Sequence, residues 1–267
     1  MSTVQYHRTH DEREYALEYV HQSEAAAQDD RNDRDEPAIV RPIDLDDRYY
    51  GVYVTRPVEK HSTDGVDVSS IDDQYLVDSV LSIFDVIDDE QDLNWYKPLE
   101  PNRIADALDR VEWHQSVPVV GGQILSNLIL AHGLPNANHR TALGFLNAYL
   151  ATMDASFEAP TLTTSGNDWL EWIDAFIVDS KRLLTLSRNP RLFAWLADHG
   201  ATQVDRKDGV RIDLADQDLS GNDPWGEIAE RHEDRSIAFV RTYLDQAGAD
   251  DLAGATDDGK NAFRQRL

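Results

Sequence analysis

One stretch of the chain has residue types and a spacing that suit phosphate chemistry, His132-Gly133-Leu134-Pro135-Asn136-Ala137-Asn138-His139-Arg140. A histidine has an ordinary pKa of about 6.5, so His132 can accept a proton from a hydroxyl that attacks phosphorus. Arg140 offers a permanent charge and a planar fork that matches phosphate oxygens, and the Asn138 amide can donate a further hydrogen bond. The stretch therefore predicts general-base chemistry beside a bound phosphate.

The elements around this stretch are predicted to be two helices joined by a short loop. Apolar residues recur at helical spacing before it, ending at His132, and again after it. They are Ile124, Leu125, Leu128 and Ile129 before it and Ala142, Phe145, Leu146, Tyr149 and Leu150 after it. The first turn of a helix presents unpaired N–H groups and the positive end of the helix dipole. We therefore predict a phosphate or nucleotide site formed by Asn136, Ala137, Asn138, His139, Arg140 and Thr141.

The rest of the chain is predicted to be mainly helical with a minor strand element. Alternation over Arg48–Thr55 predicts a strand or hairpin arm. Further helices are expected near Tyr15, Leu17 and Tyr19, from Ser70 and Asp73 through Leu76, Val80, Ile83, Phe84 and Ile87, over Ile104–Trp113, from Asp168 and Glu171 onward, and over Ile237–Leu244. Parallel sheet topology has no support in the sequence.

Three segments are expected along the chain. Residues 1–36 are rich in charge and form an acidic, partly flexible N-terminal segment. Residues 37–195 are expected to form the core that carries the motif at 132–140, and residues 196–267 an acidic C-terminal extension. The predicted fold is a mainly α helical bundle with a minor β-hairpin and with helical extensions at both ends.

The composition restricts the possible environments and partners. The formal net charge is −25, and such a field repels the phosphate backbone of nucleic acids. Carboxylates occur throughout while lysine is scarce, which resembles proteins of salt-accumulating archaea and predicts salt-dependent stability. There is no cysteine, so disulfides and thiolate catalysis are excluded. No apolar signal segment or membrane span is apparent, and we expect a cytoplasmic protein that binds neither nucleic acid nor membrane.

The motif resembles that of the Fic/Doc family. That motif has a histidine, an apolar or aromatic residue two positions on, an acidic residue or asparagine, a small residue, asparagine, a variable residue and arginine. The corresponding residues here are His132, Leu134, Asn136, Ala137, Asn138, His139 and Arg140. The adenylylating branch has glycine at the position of His139 and a second arginine at that of Leu143. Because the chain reads Arg140-Thr141-Ala142-Leu143, it is more similar to the Doc branch.

The resemblance implies a Fic/Doc-like helical fold, ATP with Mg²⁺ as donor, and His132 as the catalytic base. It implies phosphate contacts from Asn138 and Arg140, and a protein hydroxyl of Ser, Thr or Tyr as acceptor. In the Doc branch the product is a phosphorylated translation factor. The position of the family's metal ligand holds Asn136, which offers Mg²⁺ one carbonyl oxygen, and the Doc-branch lysine is replaced by His139. A side chain at position 139 is expected to favour γ-phosphate transfer over adenylylation.

The motif and its family resemblance lead to four hypotheses about function. The first is a Doc-like toxin kinase neutralised by a separate antitoxin, because the family's inhibitory Ser/Thr-x-x-x-Glu-Gly/Asn helix has no convincing copy here. The alternatives are a Fic-type adenylyltransferase, a degenerate Fic-fold binding module and an acidic scaffold. A weaker pattern, Asp216, Asp218, Ser220, Gly221 and Glu227, matches the positions of a calcium loop but follows a strand-like stretch, so we assign it no site.

Overall fold

The structure is a computed structural model that describes residues 4–11, 14–21, 48–55, 63, 68–69, 71, 73–164, 168–188, 190–198, 203–206, 210–217, 219, 221 and 223–267. It is mainly helical with a minor β element, which confirms the predicted fold class. The helices are α1 (Gln74–Gln91), α2 (Pro101–Asp109), α3 (Val117–Ala131), α4 (Asn138–Met153), α5 (Glu171–Arg188), α6 (Pro190–Asp198), α7 (Pro224–Gln246), α8 (Asp250–Ala253) and α9 (Lys260–Arg266).

The strands are β1 (Val4–Asp11), β2 (Glu14–His21), β3 (Arg48–Thr55), β4 (Gln203–Arg206) and β5 (Arg211–Asp213). They form one sheet in the order β1-β2-β3-β4-β5. The β3–β4 pair is parallel, with Tyr49 opposite Val204, and the other pairs are antiparallel. The predicted strand at 48–55 is confirmed, whereas the expectation of no parallel pairing is wrong, because β4 joins the sheet from far along the chain.

The predicted N-terminal helix around Tyr15, Leu17 and Tyr19 is also wrong. These residues lie in β2, which pairs with β1 on one side and β3 on the other. Their spacing of two is the period of a strand, whereas residues on one face of a helix recur every three or four positions. Within the expected C-terminal helical extension, residues 196–198 end α6, the strands β4 and β5 follow, and α7 begins at Pro224.

The chain divides into two compact units. One contains residues 1–58 and 181–228, and the other contains residues 59–180 and 229–267. The first unit holds the sheet and a buried apolar cluster of Leu183, Leu186, Phe193, Val204, Ile212, Leu214, Leu219 and Ile228. The division expected from composition, at 36/37 and 195/196, does not coincide with these units and stays a prediction about domains.

The second unit carries the motif, and α3 lies at its centre. Eleven residues of α3 are buried, among them the glycines Gly121 and Gly122. A Cβ atom on Gly122 would lie 2.6 Å from the Ile237 Cα and 2.7 Å from its nitrogen. Only glycine therefore allows α7 to approach α3 this closely. The helix predicted over Ile237–Leu244 is part of α7, which begins thirteen residues earlier.

The C-terminal segment of this unit is held by a buried carboxylate. Asp257 accepts a hydrogen bond from the Tyr149 hydroxyl at 3.0 Å and another from the Gly259 backbone N–H at 2.6 Å. Phe263 then packs edge-on against Tyr149 and stacks on Trp113. The C-terminal helix is thus part of the core that supports α4.

Candidate functional site

The motif forms a helix–loop–helix junction, as predicted. α3 ends at Ala131 with His132 as its C-cap, and α4 begins at Asn138 with Ala137 as its N-cap. His132 has φ 49° and Ala137 has φ 50°, both in the left-handed region. A non-glycine residue in that region costs roughly 1–2 kcal/mol. Two such residues bracket the loop, and strained backbone of this kind concentrates at functional sites.

The loop is tied to α2 on its N-terminal side. The Glu100 backbone N–H donates to the Gly133 carbonyl at 2.8 Å, and the Arg103 guanidinium donates to the Ala131 carbonyl at 3.1 Å. A Cβ atom at Gly133 would lie 2.8 Å from the Ile104 side chain, so a larger residue does not fit. α2 therefore fixes the backbone on both sides of His132, whose side chain is partly buried.

The Asn138 side chain closes the loop. Its Oδ1 accepts a hydrogen bond from the Leu134 backbone N–H at 3.1 Å, and its Nδ2 donates to the Leu134 carbonyl at 3.0 Å. The residue is buried, with 7% of its surface exposed. The amide predicted to contact phosphate is therefore engaged within the loop, and Asn138 contributes to the site by holding the loop in shape.

Asn136 is likewise engaged by its neighbours. Its Nδ2 donates to the Asn94 carbonyl at 2.8 Å, and its Oδ1 accepts from the Ala137 backbone N–H at 2.7 Å. To coordinate Mg²⁺, the Asn136 Oδ1 would have to share or lose its hydrogen bond from the Ala137 N–H. In this conformation the Asn136 amide is therefore a poor ligand for Mg²⁺. Among the residues that the structure describes, no group of three or more His, Asp or Glu side chains could hold a metal ion.

Arg140 lies between two elements of the same unit. Its guanidinium donates to the Gln91 side-chain carbonyl at the end of α1, and it lies 5.9 Å from the centre of the Trp169 ring. Both contacts suit a cation, because the amide oxygen is an acceptor and the ring face is negative. Neither contact neutralises the charge of Arg140.

Thr141 is the next residue of this helix turn and is fully buried. Its backbone N–H donates to the Ala137 carbonyl at 2.9 Å, while its hydroxyl has no hydrogen-bond partner among the residues that the structure describes. A buried hydroxyl without a partner is uncommon and calls for an explanation. The N–H groups of the first helical turn and Arg140 give this end of α4 a donor-rich character that fits an anion, whereas the Thr141 hydroxyl is enclosed by the protein.

His139 points to a different neighbour and begins a buried polar chain. Its Nε2 lies 2.9 Å from the Ser180 Oγ, which lies 2.7 Å from the His232 Nε2. The His232 Nδ1 lies 2.8 Å from the Ser126 Oγ. Burial lowers the pKa of His232 to about 4, so this ring is neutral near pH 7.

Sequence reasoning found the motif but missed the residues around it, which are Gln91, Ser126, Trp169, Ser180 and His232. A signal was present for three of them. Ser126 falls within the apolar run of α3, and Ser180 and His232 lie on helix faces that are otherwise apolar. A polar residue on an apolar face indicates a buried hydrogen-bond network, because an unpartnered polar group there is costly.

The weaker calcium pattern is only partly visible. Asp218 and Ser220 lie outside the described residues. The element before the pattern is the strand β5, whereas in an EF-hand it would be a helix. Calcium binding at 216–227 is therefore not assigned. No helix in the described part of the chain is long and apolar enough to span a membrane.

The protein is mainly helical, and the junction between its core helices α3 and α4 carries His132 and Arg140. The chain belongs to a family of unknown function (DUF8172), whose model matches residues 1–267. No curated protein and no solved structure matches the chain.

Proposed function

We propose that this protein is a Doc-like phosphotransferase that moves the γ-phosphate of ATP to a hydroxyl of a cellular protein. The observation that carries the proposal is the motif loop, which joins His132 at the end of one helix to the donor-rich first turn of the next. A base and an anion site on one short, braced loop are the two parts that phosphoryl transfer requires.

In the proposed transfer, one bond to phosphorus forms as another breaks, and His132 takes up the proton that is released. The acceptor oxygen forms a bond to the γ-phosphorus while the bond from phosphorus to the β,γ-bridging oxygen breaks. The hydroxyl proton passes to the His132 imidazole, and ADP leaves with the bonding electron pair. Arg140 and the backbone N–H groups at 138–140 stabilise the charge on the phosphate oxygens.

The choice of the γ-phosphate over the adenylyl group rests on position 139. The resemblance places a glycine there in adenylylating relatives, whereas this chain has His139, whose ring contacts Ser180. A side chain at this position changes how closely a nucleotide can approach the helix turn. Mg²⁺ enters the proposal only as the ion that accompanies ATP, because the Asn136 amide is already hydrogen-bonded.

We also propose the class of the acceptor protein and the way in which the activity is inhibited. The acceptor is a protein with a Ser, Thr or Tyr hydroxyl, and a translation factor is the class that the Doc resemblance suggests. Inhibition by a separate antitoxin protein fits a chain in which no inhibitory helix of the family pattern was found. The acidic composition favours activity in concentrated salt, where surface repulsion is screened.

The test is label transfer from ATP in molar KCl with Mg²⁺ and a cell lysate, comparing α-labelled and γ-labelled nucleotide. The key variant is His132→Asn, because asparagine tolerates the left-handed backbone but is not a base. His114→Asn is the matched control, since His114 is an exposed histidine with φ 77°. We expect transfer of the γ label alone, lost in His132→Asn and retained in His114→Asn.

Two other outcomes would replace the proposal. Transfer of the α label would show adenylylation. Absence of any transfer by folded wild-type protein that binds ATP would favour a binding module with this fold.

A further inference from the structure

Four side chains on four helices form one continuous hydrogen-bonded chain inside the second unit. His139 on α4 contacts Ser180 on α5, Ser180 contacts His232 on α7, and His232 contacts Ser126 on α3, with separations of 2.7–2.9 Å. Ser126, Ser180 and His232 are at most 2% exposed. One end of the chain is the motif residue His139, which is partly buried.

The Ser180 hydroxyl makes the two imidazole rings interdependent. It has one proton and two lone pairs and lies between the Nε2 atoms of His139 and His232, so it can donate to only one of the two rings and must accept from the other. At least one of the two Nε2 atoms therefore carries a hydrogen. His232 is neutral, so the tautomer at its Nδ1 then decides whether Ser126 donates or accepts.

We propose that Ser180 and His232 are positioning residues that fix the rotamer and tautomer of His139 in the phosphate-binding turn. This inference rests on the proposed function, because it assigns His139 to the nucleotide site. A histidine on a first helical turn can adopt several rotamers, and the bond to Ser180 selects the one observed. A fixed ring costs less to order when the nucleotide binds.

The arrangement does more than satisfy buried polar groups. Ser236 is an equally buried serine on α7, and its hydroxyl donates to the His232 carbonyl of its own helix at 2.8 Å. A local bond of that kind satisfies a serine without involving another helix. Ser180 instead bridges two rings, and the ring at one end belongs to the motif.

The first experiment uses the unmodified full chain with ¹⁵N-labelled histidine in molar KCl near neutral pH. Long-range ¹H–¹⁵N NMR spectra identify which ring nitrogens carry hydrogen, with His139→Asn and His232→Gln used for assignment. We expect at least one of the two Nε2 atoms to be protonated and to donate to Ser180. Finding neither protonated would overturn the proposed bridge, because the single Ser180 proton cannot serve both rings.

The second experiment compares Ser180→Ala, Ser180→Thr and the control Ser236→Ala, with MgATP and inorganic pyrophosphate as probes. Ser180→Ala should shift the His139 ring nitrogen resonances and weaken ATP binding by about 3- to 10-fold, the effect of one lost hydrogen bond. Ser180→Thr keeps the hydroxyl and should restore both. Where transfer is measured, KM should rise more than kcat falls, because His132 is untouched.

The outcomes separate this inference from the proposed function. Unchanged His139 resonances in Ser180→Ala, or equal losses of affinity in Ser180→Ala and Ser236→Ala, would overturn the positioning role even if γ-phosphate transfer is observed. Shifted resonances and weaker ATP binding would support the role even if the wild type transfers nothing. If Ser180→Ala does not fold, Ser180→Thr and the wild-type spectra decide. Wild-type protein that binds neither probe would overturn both proposals.

Discussion

Asn138 and Leu134 are joined by two hydrogen bonds that together close the motif loop. The Asn138 carbonyl oxygen accepts from the Leu134 N–H, and the Asn138 amide nitrogen donates to the Leu134 carbonyl. One side chain thus bonds to both backbone groups of a buried residue. The asparagine of the motif is therefore a structural residue of the loop.

Replacing Asn138 by alanine should therefore destabilise the protein. The change leaves the buried N–H and C=O of Leu134 without these partners, and the expected loss in the free energy of unfolding is about 1–3 kcal/mol. Denaturant unfolding in molar KCl measures it. Asn102→Ala, an exposed asparagine in the first turn of α2, is the control and should change stability by less than about 0.5 kcal/mol. Equal effects of the two variants would contradict the role given to Asn138.

The contact between Arg140 and Gln91 gives a prediction about nucleotide affinity. Gln91→Glu would place a carboxylate beside the guanidinium, where it competes with phosphate for Arg140 and repels it. We expect Gln91→Glu to weaken ATP binding by roughly 10-fold or less, since the pair is exposed. Gln91→Ala removes the acceptor without adding charge and should leave binding unchanged or slightly stronger. Calorimetric titration with MgATP tests this, and weaker binding in both variants would contradict it.

The elements near the motif could be predicted from the sequence because their apolar periodicity is strong and local. Leu125, Leu128, Phe145 and Leu146 recur at helical spacing, and both helices are present. The sheet could not be assembled in this way, since β3 pairs with β4 about 150 residues later and nothing local specifies that pairing.

The candidate site was predictable only in part. The motif fixes which residues stand on the loop, but the engagement of the Asn136 and Asn138 amides depends on the loop conformation. The partners Ser180 and His232 come from helices 41 and 93 positions beyond His139, and only tertiary packing brings them together. A motif read from sequence therefore identifies candidate groups without saying which are already hydrogen-bonded.

The close approach of α3 and α7 predicts a large effect at Gly122. Its Cβ would lie within 2.7 Å of the Ile237 backbone, and a backbone cannot move aside as a flexible side chain can. Gly122→Ala should lower the free energy of unfolding by about 1–3 kcal/mol or more. Gly254→Ala is the matched control, because a Cβ atom there meets nothing within 4 Å. Thermal unfolding of the two variants decides, and a tolerated Gly122→Ala would mean that the helices lie farther apart.

The acidic composition predicts that stability rises with salt. With a formal net charge of −25, repulsion among carboxylates opposes the compact state in dilute buffer, and concentrated salt screens it. Thermal midpoints should increase between about 0.1 M and about 2 M KCl, where the screening length falls from roughly 10 Å to a few ångströms. Equal midpoints would contradict the interpretation of the composition as an adaptation to salt.

Burial of His232 predicts a specific loss of stability in mild acid. Its pKa is about 4 in the folded protein and near 6.5 in the unfolded chain, because the buried ring resists charging. Between these values the unfolded chain binds more protons, so the free energy of unfolding rises with pH and is lost as pH falls from about 6.5 toward 4. A difference of this size between the two pKa values corresponds to roughly 3 kcal/mol in the free energy of unfolding.

His232→Gln should remove this contribution, so the difference in stability between variant and wild type should shrink as the solution becomes more acidic. Denaturant unfolding at several pH values measures it, with His114→Asn as the exposed control. A difference that stays constant across this range would show that the His232 ring is charged as easily in the folded protein as in the unfolded chain.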